Sequence, residues 1–137
     1  MKSKFKAMVL SCMDPRFQHS VQNYLKKKKL IGKYSAFTIA GAAVGVTHKK
    51  FKQWHKTFYD NLATSIQLHK IEKLIVINHK DCGATKIANG KKKFTAANEK
   101  KIHQESFTKI KKQTKKMFPK LKVELNLISL DSKITKF

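Results

Sequence analysis

The sequence predicts an α/β domain of three layers, a mostly parallel sheet of order 2-1-3-4 with helices on both faces. Three observations predict it. Apolar runs of strand length alternate with segments of helical periodicity, giving the order βαβαβαβ, and strands separated by helices imply parallel pairing. The segment Leu74-Ile75-Val76-Ile77 is a continuous apolar run, the pattern of a strand covered on both faces. The 137 residues hold no internal repeat and no Pro/Gly/Ser-rich linker, so residues 1–137 read as one domain.

Each element has its own signal. Phe5 to Ser11 is a short apolar run of strand length. Phe17 to Lys29 places Phe17, Val21, Tyr24 and Leu25 at helical spacing, with Gly32 as a stop beyond it. Tyr34 to Ala40 reads as the second strand and Gly41 to Val46 as a small-residue loop. His48 to His69 sets Phe51, Trp54, Phe58, Leu62, Ile66 and Leu68 mainly on one helical face, which predicts core packing. Lys73 to Asn78 is the third strand. Ala97 to Phe118 is a lysine-rich amphipathic helix closed by Pro119, and Lys122 to Leu130 is the last strand.

Charge narrows the classes of function. There are 31 basic and 8 acidic side chains, a net charge of +23. This excludes an acidic disordered chain and directs attention to anionic partners. The charge is spread evenly, however, and all the basic residues but Arg16 are Lys. Lys26–Lys29 and Lys91–Lys93 lack the aromatics or Arg that base-stacking binders interleave, so they read as solvated surface. A zinc-stabilised basic protein that binds nucleic acid stays as the alternative reading. Two Cys cannot build a secreted disulfide framework, which predicts a reducing, cytoplasmic setting. No apolar run approaches the ~20 residues of a membrane span. The basic start, Lys2 to Lys6, imitates an export signal, but its apolar part is shorter than the ~7–15 residues such a signal needs.

The chemistry gathers at two strand ends. Cys12, Asp14 and Arg16 follow the first strand, and His79 and Cys82 follow the third. If the second strand lies outside the first, the winding reverses between strands one and three. Open α/β sheets place ligand sites in that crevice. Two thiolates and an imidazole are zinc ligands by softness and charge, and a fourth position would remain for water or Asp14. Gly83 is expected to relieve crowding after Cys82. Arg offers a bidentate fork that Lys cannot reproduce, so the single Arg two residues from Asp14 predicts an Asp14–Arg16 pair beside the metal. Pro15 biases Asp14 towards an extended backbone. Asp81 reads either as a group orienting His79 or its loop, or as a turn former. His19, His48, His55 and His69 read as surface or helix residues, and a Cys12/Cys82 redox pair is a lesser alternative.

These residues resemble the β-class carbonic anhydrases, in particular small prokaryotic members. That family carries Cys-x-Asp-x-Arg after its first core strand and His-x-x-Cys-Gly after the third, here Cys12-Met13-Asp14-Pro15-Arg16 and His79-Lys80-Asp81-Cys82-Gly83. The resemblance spans roughly residues 5–130. It implies zinc held by Cys12, His79 and Cys82, with Asp14 as the fourth ligand in a closed state. It implies an Asp14–Arg16 catalytic dyad, backbone at Ala40, Gly41 and Gly83 along the substrate pocket, and reversible hydration of carbon dioxide to bicarbonate. Related enzymes act on carbon disulfide or carbonyl sulfide, so another small substrate is a second implication. A homodimer or dimer-based oligomer is implied too, although only 11 residues precede Cys12 where the family usually has a helical arm. Thr38-Ile39-Ala40-Gly41 keeps the family's Ala-Gly and replaces the Arg-Asn before it.

Overall fold

The computed structural model describes residues 4–137. Its strands are β1 (Ala7–Ser11), β2 (Tyr34–Thr38), β3 (Lys73–His79), β4 (Lys122–Ile128) and β5 (Ile134–Lys136). Its helices are α1 (Gln18–Lys27), α2 (Ala43–Thr47), α3 (Lys52–His69), α4 (Gly83–Ala88) and α5 (Ala96–Met117). The sheet order is β2-β1-β3-β4-β5. The first four strands are parallel, as the sequence predicts, and β5 returns antiparallel along β4.

Side-chain alternation explains the layers. In β1, Ala7 and Val9 join Phe17, Val21 and Leu25 of the α1 segment, together with Ile75 and Ile77 of β3. Met8 and Leu10 point the other way, with Leu74 and Val76, onto Phe58 and Leu62 of α3 and Phe107 and Ile110 of α5. Both faces of β1 and β3 are therefore covered, which is why their sequences are apolar without interruption. Phe51 and Phe58 are buried, and Trp54 stacks on Phe51 with ring centroids 4.8 Å apart. Leu68, placed on the same face by its spacing, is instead 68% exposed one residue before the end of α3.

Three elements escape the sequence reading. Gly41 to Val46 is not simply a loop, because Ala43–Thr47 forms α2. Its residues Ala43 to Val46 are all buried, so it carries no polar face and no amphipathic period. The six-residue α4 and the three-residue β5 are too short to show a period at all. The helix expected from His48 begins at Lys52, after a 3-10 turn over Lys49–Phe51. The last helix is started by Thr95, whose Oγ1 accepts from the Asn98 N–H (3.1 Å) while Asn98 Oδ1 accepts from the Thr95 N–H (3.2 Å). This reciprocal capping satisfies two otherwise unpaired donors.

Candidate metal centre

The β1 and β3 ends are adjacent in the sheet, with Ser11 opposite Ile77. The loops that leave them therefore meet. Cys12 and Cys82 Sγ and one ring nitrogen of His79 lie within 4.8 Å of one another, and all three residues are buried. Bonds of about 2.0–2.3 Å from a zinc ion can gather such a set.

The surroundings fit a cation. His79 Nδ1 donates to the Lys80 carbonyl at 2.7 Å. That bond leaves Nε2 for the cluster, where it is buried and has no hydrogen-bond partner among the described residues. Phe17 stacks on the His79 ring at 4.2 Å and fixes its plane. Contact with Cys82 and burial push the Cys12 thiol well up, while the hydrogen bond from Cys12 draws Cys82 down against its own burial. Two adjacent buried sulfurs thus share a proton readily but resist carrying two negative charges, and a divalent ion resolves that conflict.

Gly41 completes this wall. Its N–H lies 3.3 Å from Cys12 Sγ. Its φ is +81°, and a Cβ there would sit 2.9 Å from Ala84 Cβ. Ala42 follows at φ +48°, so two successive residues turn the chain sharply into α2. Ala40 is half-buried, and its carbonyl packs so closely that a Cβ on Gly45 would be 2.0 Å away. Gly83 behaves differently from the reading above. A Cβ on it would meet nothing within 4 Å, so no crowding is relieved there.

Asp14 sits at the mouth, with Oδ2 3.8 Å from His79 Nε2. The Arg16 backbone N–H donates to Oδ1 at 2.9 Å, and Nη2 donates to Oδ2 at 2.8 Å. Nε reaches Oδ1 at 3.1 Å and Oδ2 at 3.3 Å. Hydrogen bonding to Arg16 holds the Asp14 carboxyl down at about 2, against its partial burial. The Asp81 carboxylate accepts from Arg16 Nη1 at 2.9 Å and pairs with Lys86 at 2.7 Å, rather than orienting the His79 ring, whose Nδ1 is held by the Lys80 carbonyl.

Several contributors are absent from the sequence reading. Gln18 Nε2 donates to the carbonyls of Cys12 and Asp14, both at 2.9 Å, and braces the first loop. Asn78, buried next to His79, accepts from the Ala43 N–H at 3.0 Å and donates to His103 Nδ1 at 2.9 Å. His103 is 2% exposed, and burial drives its pKa down to about 4. The signal for it was present, since His103, Phe107, Ile110 and Thr114 are spaced along one helical face.

The chain is similar throughout to known proteins. A family model described as "Putative carbonic anhydrase" matches residues 1–130. An uncharacterized protein of Rickettsia bellii is 30% identical over 128 residues, covering 93% of this chain and 78% of the relative. Among solved structures, a carbonic anhydrase from Glaciozyma antarctica superposes with a TM-score of 0.63 at 17% identity, over 99% of this chain and 83% of that one. The β-carbonic anhydrase CafA of Aspergillus fumigatus gives 0.65 at 10% identity, over 98% and 76%. At such identities the likeness establishes the fold, and the fold is that of the β-carbonic anhydrases. The chain belongs to this carbonic anhydrase family.

Proposed function

We propose that this protein is a zinc enzyme that hydrates carbon dioxide reversibly to bicarbonate. The observation that carries the reading is the buried Cys12–His79–Cys82 cluster, with an imidazole nitrogen that has no hydrogen-bond partner among the described residues and the Asp14 carboxylate 3.8 Å from it. Cys12, His79 and Cys82 would hold the ion. When bound, zinc supplies an acidified water that can act as a nucleophile near neutral pH.

The chain's own residues do the rest. His79 is held in the right tautomer by the Lys80 carbonyl and in the right plane by Phe17. Asp14 Oδ2 is a hydrogen-bond acceptor that stays ionised throughout the neutral range, because Arg16 favours its charged form. An acceptor fixed at this point receives a hydrogen bond from a reacting hydroxyl group and so directs its lone pair at the substrate. Ala40, Gly41 and Gly83 would present backbone to a small linear substrate.

Zinc content per subunit and stopped-flow hydration kinetics test the proposal together. About one zinc per chain with measurable hydration is expected. A metal-loaded protein inactive on carbon dioxide but active on carbon disulfide would move the substrate and keep the site. We further propose a dimer, by analogy with the family, and a cytoplasmic setting; light scattering giving only monomers would refute the former. No helix among the described residues is long and apolar enough to cross a membrane.

A further inference from the structure

The one guanidinium in the sequence is divided between two loops. Arg16 Nε and Nη2 hold Asp14, while Nη1 donates to Asp81 Oδ2 and Nη2 also donates to the Asp81 carbonyl, both at 2.9 Å. A single residue of the second loop thus meets the fork with side chain and backbone together. Asp81 is itself tied on its other sides. Its N–H donates to Glu99 Oε2 at 2.7 Å, in the first turn of α5, and its Oδ1 meets Lys86 Nζ of α4 at 2.7 Å. It can present carbonyl and carboxylate to one guanidinium because its φ is +58°, a left-handed turn that Asp tolerates better than most residues.

We propose that Asp81 is a positioning residue, which clamps Arg16 so that Asp14 stays on the guanidinium and away from the fourth metal position. The Arg16 side chain is 51% exposed, and its remaining contact among the described residues, Cζ 5.3 Å from the Phe17 ring centroid, sets no hydrogen-bond direction for the fork. Without the Asp81 anchor, the Asp14–Arg16 pair would move as a unit or part, and the carboxylate 3.8 Å from His79 Nε2 would turn into the cluster. The clamp therefore sets the balance between an open site and one closed by its own aspartate. The inference rests on the zinc reading above.

Cobalt(II) in place of zinc makes the fourth position visible. Azide, a small anion, shifts the visible absorption bands only where that position can exchange. Wild-type protein should respond to azide. Asp81→Gly keeps the left-handed turn and removes the carboxylate; it should bind cobalt with unchanged stoichiometry yet need about two- to fivefold more azide, the scale of one exposed ion pair. Asp81→Asn keeps an acceptor oxygen and should fall between. Adding Asp14→Ala to Asp81→Gly should restore the azide response, which a general loosening of the loop would not do. Equal azide titrations for Asp81→Gly and wild type would overturn the clamp, as would a loss that Asp14→Ala fails to restore, or a wild-type site silent to azide. A wild-type chain that takes up neither cobalt nor zinc would overturn the metal reading, and the clamp with it.

Discussion

His103 has no room for a second ring proton, because Nδ1 accepts from Asn78 and Nε2 is buried. Its pKa is held at about 4, against an ordinary value near 6.5. Between those values the unfolded chain binds a proton that the folded chain refuses. Stability should therefore fall as pH drops from about 6.5 to about 4, and stay unaffected by this group at higher pH. The gap corresponds to about 3 kcal/mol in total. Urea unfolding of the reduced, metal-free protein at pH 7.5 and 5.0 should show about 2 kcal/mol of it, and His103→Gln should flatten the slope. At the candidate site, Arg16→Lys replaces a fork by a point charge, so hydration should fall about 10- to 100-fold with zinc content unchanged. Cys12, Asp14, Arg16, His79 and Cys82 could be singled out from sequence because their types are scarce here and fall at strand ends. Asn78, Gln18 and Phe17 could not, since each looks like an ordinary strand, helix or core residue until its partner from elsewhere in the chain is in place.

The β2–α2 connection and the start of α4 make a paired test of glycine at the scale of an element. Gly41→Ala puts a Cβ 2.9 Å from Ala84 and forces a left-handed φ on a substituted residue. It should cost about 1–3 kcal/mol by thermal or urea unfolding and weaken metal retention, since the Gly41 N–H meets Cys12 Sγ. Gly83→Ala has open space, an ordinary backbone angle and a helical position. It should change stability by no more than about 0.5 kcal/mol, or raise it slightly. If both variants behave alike, the close approach at Gly41 is not what holds that wall. The same region shows why sequence periodicity stopped short. The strands of the parallel core were legible because burial on both faces leaves an unbroken apolar run. The α2 segment is buried on all sides, so no polar face remains to mark its period, and its small residues resemble a flexible loop.

For the whole molecule, the net charge of +23 acts on folding as well as on partners. Like charges held in a compact chain repel one another, and salt screens them. Raising sodium chloride from about 0.05 to 0.5 M should raise the melting temperature of the metal-free protein, in contrast to proteins stabilised by exposed ion pairs. The acidic groups offset only part of the excess; Glu124, for instance, pairs at part-buried positions with Lys28 at 2.9 Å and Lys73 at 3.3 Å. Stripping zinc with a chelator should lower the melting temperature measurably, because an ion that binds only the folded chain stabilises it by mass action. Unchanged melting after removal would mean that the cluster forms no tight site.

The antiparallel return of β5 bears on how crowded solutions of this protein behave. An exposed strand edge invites a stranger's backbone, and the invitation grows with its length. Here the sheet's flanks are β2, with five residues, and β5, with three, the latter ending on Lys136. The apolar core strands β1 and β3, the latter of seven residues, lie inside, each with a neighbour on either side. The interior strands are thus out of reach, and what is offered outward is two short edges, β2 without a charge and β5 closing on a lysine. A reduced sample should remain free of fibrils at concentrations where a sheet with β3 at its rim would not.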